Sequence, residues 1–406
     1  MYRIAGIDVH KKMLAVVVGD VEELGEYRFE RRKFATGEAE LRALAEWFSS
    51  EGIQEAVMES TAQYWKPVWQ MLEGVCKLHL AQAQSNRAPK GRKTDFADAE
   101  RLVRRYVAGE LILSFVPDPE QRLWRMMTRS KHQLSRDRAR LRNQLEGFLE
   151  DCRIKLSSHL SDLLGRSGRK MLWALAEGAN DSASVAALAS GGLRASQAEL
   201  TDALAAADTL DPLRRQILKL FLERVNLLDS QMDTLTKTAA EALREHQDAV
   251  QRLAHVPGLG ADSAQQIIAE VGPKAATFGS AQSLASWVGC CPGREESAEI
   301  SKSNHSPKGN RAMRRVLCQA ANAAVKTKGS VFQDKYRRLL PRIGHAKAIW
   351  AIAHKLCRVV WKILHEVVSY RELGQFRDPK TNQQRANRLI RILRTLGYQV
   401  QITGAA

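Results

Sequence analysis

Four carboxylates early in the chain stand at structurally telling points. Asp8 lies inside the otherwise apolar run IAGIDV, where a charge is partly desolvated unless it binds a cation or takes hydrogen bonds. Glu59 closes the run QEAVMES at a sheet's edge, and Asp95 and Asp98 in KTDFADAERL are spaced by three, on one face of a helix. Hard ions such as Mg2+ or Mn2+ prefer oxygen ligands. Two of them ~3.5–4 Å apart stabilise both the attacking and the leaving oxygen of phosphoryl transfer. Singly, the acids have plainer accounts: Asp95 as a helix N-cap after Thr94, Asp98 as a first-turn acid favoured by the helix dipole. Asp8 has no comparable surface account.

A second group of chemically capable residues lies in FGSAQSLASWVGCCPGREESAEISKSNHSPKGNRAMRRVL, a helix running into a polar loop and then a basic helix. Serine is a poor nucleophile unless a base, a metal or positive charge eases formation of its alkoxide, and attack on phosphate develops charge that Arg or Lys can meet. Arg294, Lys302, Lys308, Arg311, Arg314 and Arg315 are placed to supply it. From the residues alone the serines could equally coat a surface loop. Just upstream, LAHVPGLGADSAQQIIAEVG reads as a helix-hairpin-helix whose Gly258 and Gly260 would offer backbone N–H groups to phosphates. An ordinary inter-helix turn would have a similar sequence.

The elements that must hold these residues follow from periodicity. Short Val- and Ile-rich runs predict strands, the first two antiparallel over residues 3–9 and 13–19 and joined by a tight His-Lys-Lys turn; helical periods occupy 39–48, 66–72 and 95–107. These make an α/β domain over 1–115. Residues 116–250 read as a helical, coiled-coil spacer: Leu134, Leu141, Leu145, Phe148 and Cys152 form a stripe with Arg136, Arg138, Arg140 and Arg142 between them. Leu218, Phe221, Val225, Leu228, Met232, Leu235 and Ala239 then repeat as a heptad. The heptad fits a hairpin within one chain or a coiled coil between protomers. A mainly helical domain over 251–372 and a basic tail over 373–406 complete the chain, so the class is α/β plus all-α. Arg136 and Arg140 join the candidate nucleic-acid contacts.

Charge names the partner. Across 406 residues the formal charge is +17, and residues 294–406 hold 23 Lys and Arg against 7 Asp and Glu, an excess of 16. Such one-signed surfaces attract phosphates through counterion release, so nucleic acid is expected. An acidic binder and a disordered tail are excluded. The six cysteines form no CxxC pair and read as reduced thiols. With no apolar signal core and no run near the ~18 apolar residues of a membrane span, a soluble cytoplasmic protein with no membrane partner is expected. His10 reads as a surface residue of the turn, and Trp65 and Trp69, at helical spacing, as core.

GIDVHK, the strand ending MES and KTDxxDA resemble, in order and spacing, the acidic motifs of the DEDD transposases of the insertion-sequence one-ten family. The resemblance implies a RuvC-type, RNase H-like N-terminal domain whose metal-binding tetrad falls on Asp8, Glu59, Asp95 and Asp98. The same family carries a C-terminal W-x-G-x-x-P pattern, an acidic stretch and one catalytic serine; Trp287, Gly289, Pro292, Glu296 and Ser297 match it, and KGNRAMRR matches the basic helix that follows. Ser297 is the implied nucleophile, with Ser301, Ser303 and Ser306 as substitutes. What the resemblance implies in function is a transposase or recombinase that cuts and rejoins donor and target DNA through a phosphoserine link. It would use Mg2+ or Mn2+, be guided by a structured non-coding RNA and work as a homo-oligomer. Two alternatives stand beside it: a RuvC-like nuclease using activated water, and a non-catalytic nucleic-acid-binding protein.

Overall fold

The computed structural model describes residues 2–21, 27–86, 94–291, 295–297, 300–303, 306–372 and short stretches between 386 and 401; over 295–303 it is the backbone that is described. The chain divides into two units, Met1–Pro117 and Asp118–Ala406.

In the first unit, β1 (Tyr2–Val9), β2 (Met13–Val21) and β3 (Tyr27–Ala35) form an antiparallel meander. α1 (Glu38–Ser50), β4 (Glu55–Glu59), α2 (Trp65–Leu72), β5 (Lys77–Ala81), α3 (Asp95–Val107) and β6 (Leu113–Ser114) follow. The sheet order is β3-β2-β1-β4-β5-β6, with β4 parallel to β1 and β5 parallel to β4. This mixed α/β arrangement is compatible with an RNase H-like fold. Alternation sorts β1 between two cores: Ala5, Ile7 and Val9 pack with Leu44, Phe48 and Leu72 of α1 and α2, whereas Ile4 joins Val17, Ala99 and Val103 beneath α3. Trp65 and Trp69 flank the first core, edge to face at 5.9 Å. Among the described residues no helix is long and apolar enough to cross a membrane.

The second unit is mainly helical. α4 (Pro119–Asp151) starts at an Asp118 N-cap with Pro119 at its first position. α5 (Leu156–His159), α6 (Arg166–Ala176), α7 (Ser182–Ala187) and α8 (Gln197–Ala203) lead to α9 (Pro212–Ala242), which opens on the same Asp-Pro device. The two leucine repeats meet inside the chain: Leu141, Leu145 and Leu149 of α4 share one core with Leu218, Leu222 and Val225 of α9. Asp229 of α9 takes hydrogen bonds from Arg138 of α4 and Arg169 of α6. α10 (Gln247–Ala254) and α11 (Ala261–Val271) form a helical hairpin, followed by α12 (Ala281–Val288), a two-stranded ribbon of β7 (Glu295–Ser297) and β8 (Ile300–Ser303), α13 (Arg311–Ala324) and the long α14 (Val331–His365), bent at Gly344. α11 lies against both α4 and α13.

Candidate functional site

The acidic edge is built by strand register and one close approach. β1 and β4 run parallel in register Ile7 with Met58, so Asp8 and Glu59, one residue further on, end adjacent strands at the same edge. In parallel sheets the carboxyl ends are where ligands gather. Gly6 shares Asp8's face of β1, and a Cβ there would run into the Ala99 carbonyl oxygen and come 2.8 Å from Val103 Cγ2. Having no side chain, Gly6 lets α3 lie directly on the strand, with the helix's first turn beside Asp8. Thr94 is the N-cap of α3, accepting from Ala97 N, so Asp95 is a first-turn acid and not the cap.

Asp8, His10 and Asp95 offer ligand atoms that all lie within 4.8 Å of one another. His10 Nε2 stands 3.1 Å from Asp8 Oδ2 and 3.3 Å from Asp95 Oδ1, so this imidazole bridges the acids and is more than a surface turn residue. Its place just past the end of β1, two residues beyond Asp8, was the available signal. The Asp8 side chain is only 15% exposed. Burial pushes its carboxyl up, and Asp98 and Asp95 add to this while His10 opposes it. Glu59 is tied in less directly. Asn86, buried in the turn after β5, donates Nδ2 to Glu59 Oε2 at 2.9 Å, and Arg101 donates Nε to Asn86 Oδ1 at 3.3 Å while pairing with Asp98 Oδ1 at 2.7 Å. Asn86 and Arg101 escape a reading by motif; only the spacing of Arg101 from Asp98 hinted at one of them.

Ser297 ends β7 opposite Ile300 in a ribbon that carries a bulge at Glu295/Glu296. The base of this loop is tightly held. Gly289 caps α12 in the left-handed region at φ 73°, where a Cβ would come 2.5 Å from Pro307 O, and a Cβ on Gly309 would run into Val288 O. Asn310 N donates to Trp287 O at 3.1 Å. Arg314 donates to Gly289 O and to Pro307 O and lies 4.4 Å from the Trp350 ring centroid, and Trp350 Nε1 donates to Ser306 Oγ at 3.0 Å. Arg314 therefore braces the loop, and Ser306 is engaged in the same brace. Arg294 and Pro292 lie outside the described residues, as do the side chains of Ser297, Ser301, Lys302 and Ser303.

The remaining basic candidates separate by what they touch. Lys308 and Arg311 are exposed, and Arg140 is exposed with a loose 3.5 Å pairing to Asp137. Arg136 lines a cavity with Arg311 and Arg315. The two hairpin glycines have different surroundings. A Cβ on Gly258 (φ +86°) would run into Ala320 O, so this glycine packs against α13, and Gly260 N already donates to Ser263 Oγ at 2.8 Å. Helix packing accounts for the glycine at 258, and the amide of Gly260 is already engaged in capping α11.

Two family models match this chain. Residues 5–154 match a family model for DEDD-type transposases of the IS110 kind, described as a transposase, and residues 250–337 match the model described as the transposase IS116/IS110/IS902 family. A probable family 20 transposase of Pseudomonas aeruginosa is 27% identical over 288 residues, covering 70% of this chain and 75% of that protein.

Proposed function

The chain belongs to the IS110-type family of DEDD transposases and so acts on DNA, and from this premise we propose that it cuts and rejoins strands through a transient phosphoserine at Ser297. The observation that carries the reading is the convergence of Asp8, Asp95 and His10 at the carboxyl edge of the sheet, beside Asp98. In the first step the Ser297 oxygen bonds to phosphorus as the bond from phosphorus to the 3′ oxygen breaks. The serine proton passes to a base and the departing 3′ oxygen takes up a proton. Attack by the 3′ hydroxyl of another strand reverses these steps, frees the serine and joins the new ends. Lys308 and Arg311, with Arg294 and Lys302, meet the charge that develops on the phosphoryl oxygens.

Asp8, Glu59, Asp95 and Asp98 are the residues that would hold a magnesium or manganese ion. The donor set fits such an ion: it is rich in carboxylate oxygen, and Asp8 is enclosed beside two further acids that raise the cost of its charge. A bound ion would supply stabilisation for the attacking and leaving oxygens. His10 orients Asp8 and Asp95, and Asn86 orients Glu59. The strand order and the antiparallel opening favour the RNase H-like, RuvC-type assignment for this domain.

We further propose a homo-oligomer, a dimer or tetramer on DNA. Leu213, Leu220 and Leu227 are 66%, 53% and 57% exposed, seven residues apart on α9 and turned from the shared core, as a seam between protomers requires. Choice of site is assigned to a structured guide RNA pairing with donor and target DNA; sequencing RNA that co-purifies tests this, and random RNA with DNA selectivity intact after its removal overturns it. For the chemistry, denaturing gels decide. A protein–DNA adduct lost in Ser297→Ala is expected, whereas full cleavage by that variant would replace this mechanism with metal-dependent hydrolysis by activated water.

A further inference from the structure

A cavity of about 430 Å³ opens in the second unit between α4 and the start of α13. Arg129, His132 and Arg136 line it from α4, spaced three and four apart and so on one helical face; Asn310, Arg311 and Arg315 line it from the other side. Ala312 contributes no charge, and with Arg311 it opens α13, where the first amides have no acceptor within the helix.

The wall is built around one buried acid. Glu270 of α11 is 1% exposed. Its carboxylate takes both nitrogens of Arg129 at 2.8 and 2.9 Å, and accepts from Asn310 Nδ2 at 3.0 Å. Asn310 in turn caps α13 through Met313 N at 2.9 Å. A single carboxylate thus fixes one arginine and the helix start, and its charge is already shared with Arg125, 3.3 Å away. Arg315 donates to the neutral Gln266 at 2.6 Å, and its Nε is buried without a hydrogen-bond acceptor. Among the described residues no carboxylate pairs with Arg136, Arg311 or Arg315. The cavity therefore gathers excess positive charge and unsatisfied donors in a concave site, which is costly unless an anion completes it.

We infer that this cavity is a phosphate subsite, which takes one phosphate group of a nucleic-acid strand beside the loop that carries Ser297. Asn310, which ends that loop and lines the cavity, donates its N–H to Trp287 O, so a strand held here meets the base of the loop. The inference rests on the reading of Ser297 as nucleophile for its role, but its binding can be measured separately. Geometry selects phosphate: guanidinium groups converging from two helices, with helix-start amides, match its several acceptor oxygens.

Calorimetric titration of the full chain with inorganic pyrophosphate tests it. Saturable one-to-one binding is expected, weakened about tenfold or more in the double variant Arg136→Gln, Arg311→Gln and unchanged in Ser297→Ala. Both replaced side chains are exposed, so the double variant should melt like the parent. A trinucleotide with and without a 5′ phosphate separates the two sources of the group. Preference for the phosphorylated form means a strand end, and equal binding that is lost with methylphosphonate linkages means an internal diester. Equal pyrophosphate affinity in parent and double variant, or no saturable binding, overturns the subsite. Loss of the DNA adduct reading with pyrophosphate binding intact would instead overturn the role of Ser297.

Discussion

In the first unit the acids stand on adjacent parallel strands and on the first turn of a helix, so that strand register and helical pitch fix them, helped by one glycine that lets the helix come close. In the second unit Ser297 stands at the end of a three-residue strand, and what holds its loop is a set of polar contacts at the base, reaching from Trp287 and Gly289 to Asn310, Arg314 and, through Asn310, to Glu270. One region is positioned by apolar packing and backbone geometry, the other by buried charge. The two should therefore break differently.

The largest effect is expected at Glu270. Removing a buried carboxylate leaves Arg125 and Arg129 uncompensated and uncaps the link to Asn310, at a cost of about 3–5 kcal/mol. Glu270→Ala should lower the melting transition of the second unit and abolish the Ser297 adduct while Mn2+ binding at the acids persists. Loss of Mn2+ binding in the same variant would refute the separation. Next come the glycines, tested as a pair. Gly6→Val forces a side chain into the Ala99 carbonyl and should cost about 1–3 kcal/mol by overpacking, displacing α3 and weakening Mn2+ binding. Gly309→Val, strained at φ +45° and directed at Val288 O, should spare Mn2+ binding and remove the adduct. Equal effects of both variants on both measurements would show that the regions are not independently built.

The difference also decides how much could be read from the sequence. The antiparallel opening, the strand ending at Glu59 and the helix carrying Asp95 and Asp98 follow from period-2 and period-3.6 patterns, which are local. The meeting of α4 with α9 inside the chain follows as one of the two arrangements the leucine repeats allowed. His10 is an exposed turn residue, as expected, but whether such a residue keeps neighbours depends on the turn, and here the turn leaves it against Asp8 and Asp95. Asn86 and Glu270 had no local signature at all: one sits in a short turn after β5, and the other meets Arg129 across 141 positions. Arg314 had the composition of a phosphate contact and the surroundings of a brace.

A smaller effect sharpens the acidic side. Asn86 touches none of the reacting atoms, and its amide holds Glu59 at 2.9 Å. Partners of this kind change metal affinity by about 10–100-fold when removed. Asn86→Ala should weaken Mn2+ binding within that range with little change in melting, and Asn86→Asp, which places a second carboxylate against Glu59, should not restore it. Unchanged Mn2+ affinity in Asn86→Ala would leave Glu59 outside the metal site.

The smallest effect is a pH dependence in the helical region. Burial acts to raise the Asp229 carboxyl, but hydrogen bonds from Arg138 and Arg169 outweigh it and hold the group below its ordinary value of 3.8. A carboxyl depressed in the folded state stabilises that state fully above the unfolded value, and the contribution is lost as the pH falls through the folded one. With the Asp229 side chain 28% exposed, the pair of contacts is worth about 1 kcal/mol. Asp229→Asn should therefore melt a few degrees below the parent at pH 7, and the gap should close as the pH is lowered past 3.8. A gap that stays constant down to acid pH would mean that the bridge from α9 to α4 and α6 is held by shape and not by charge.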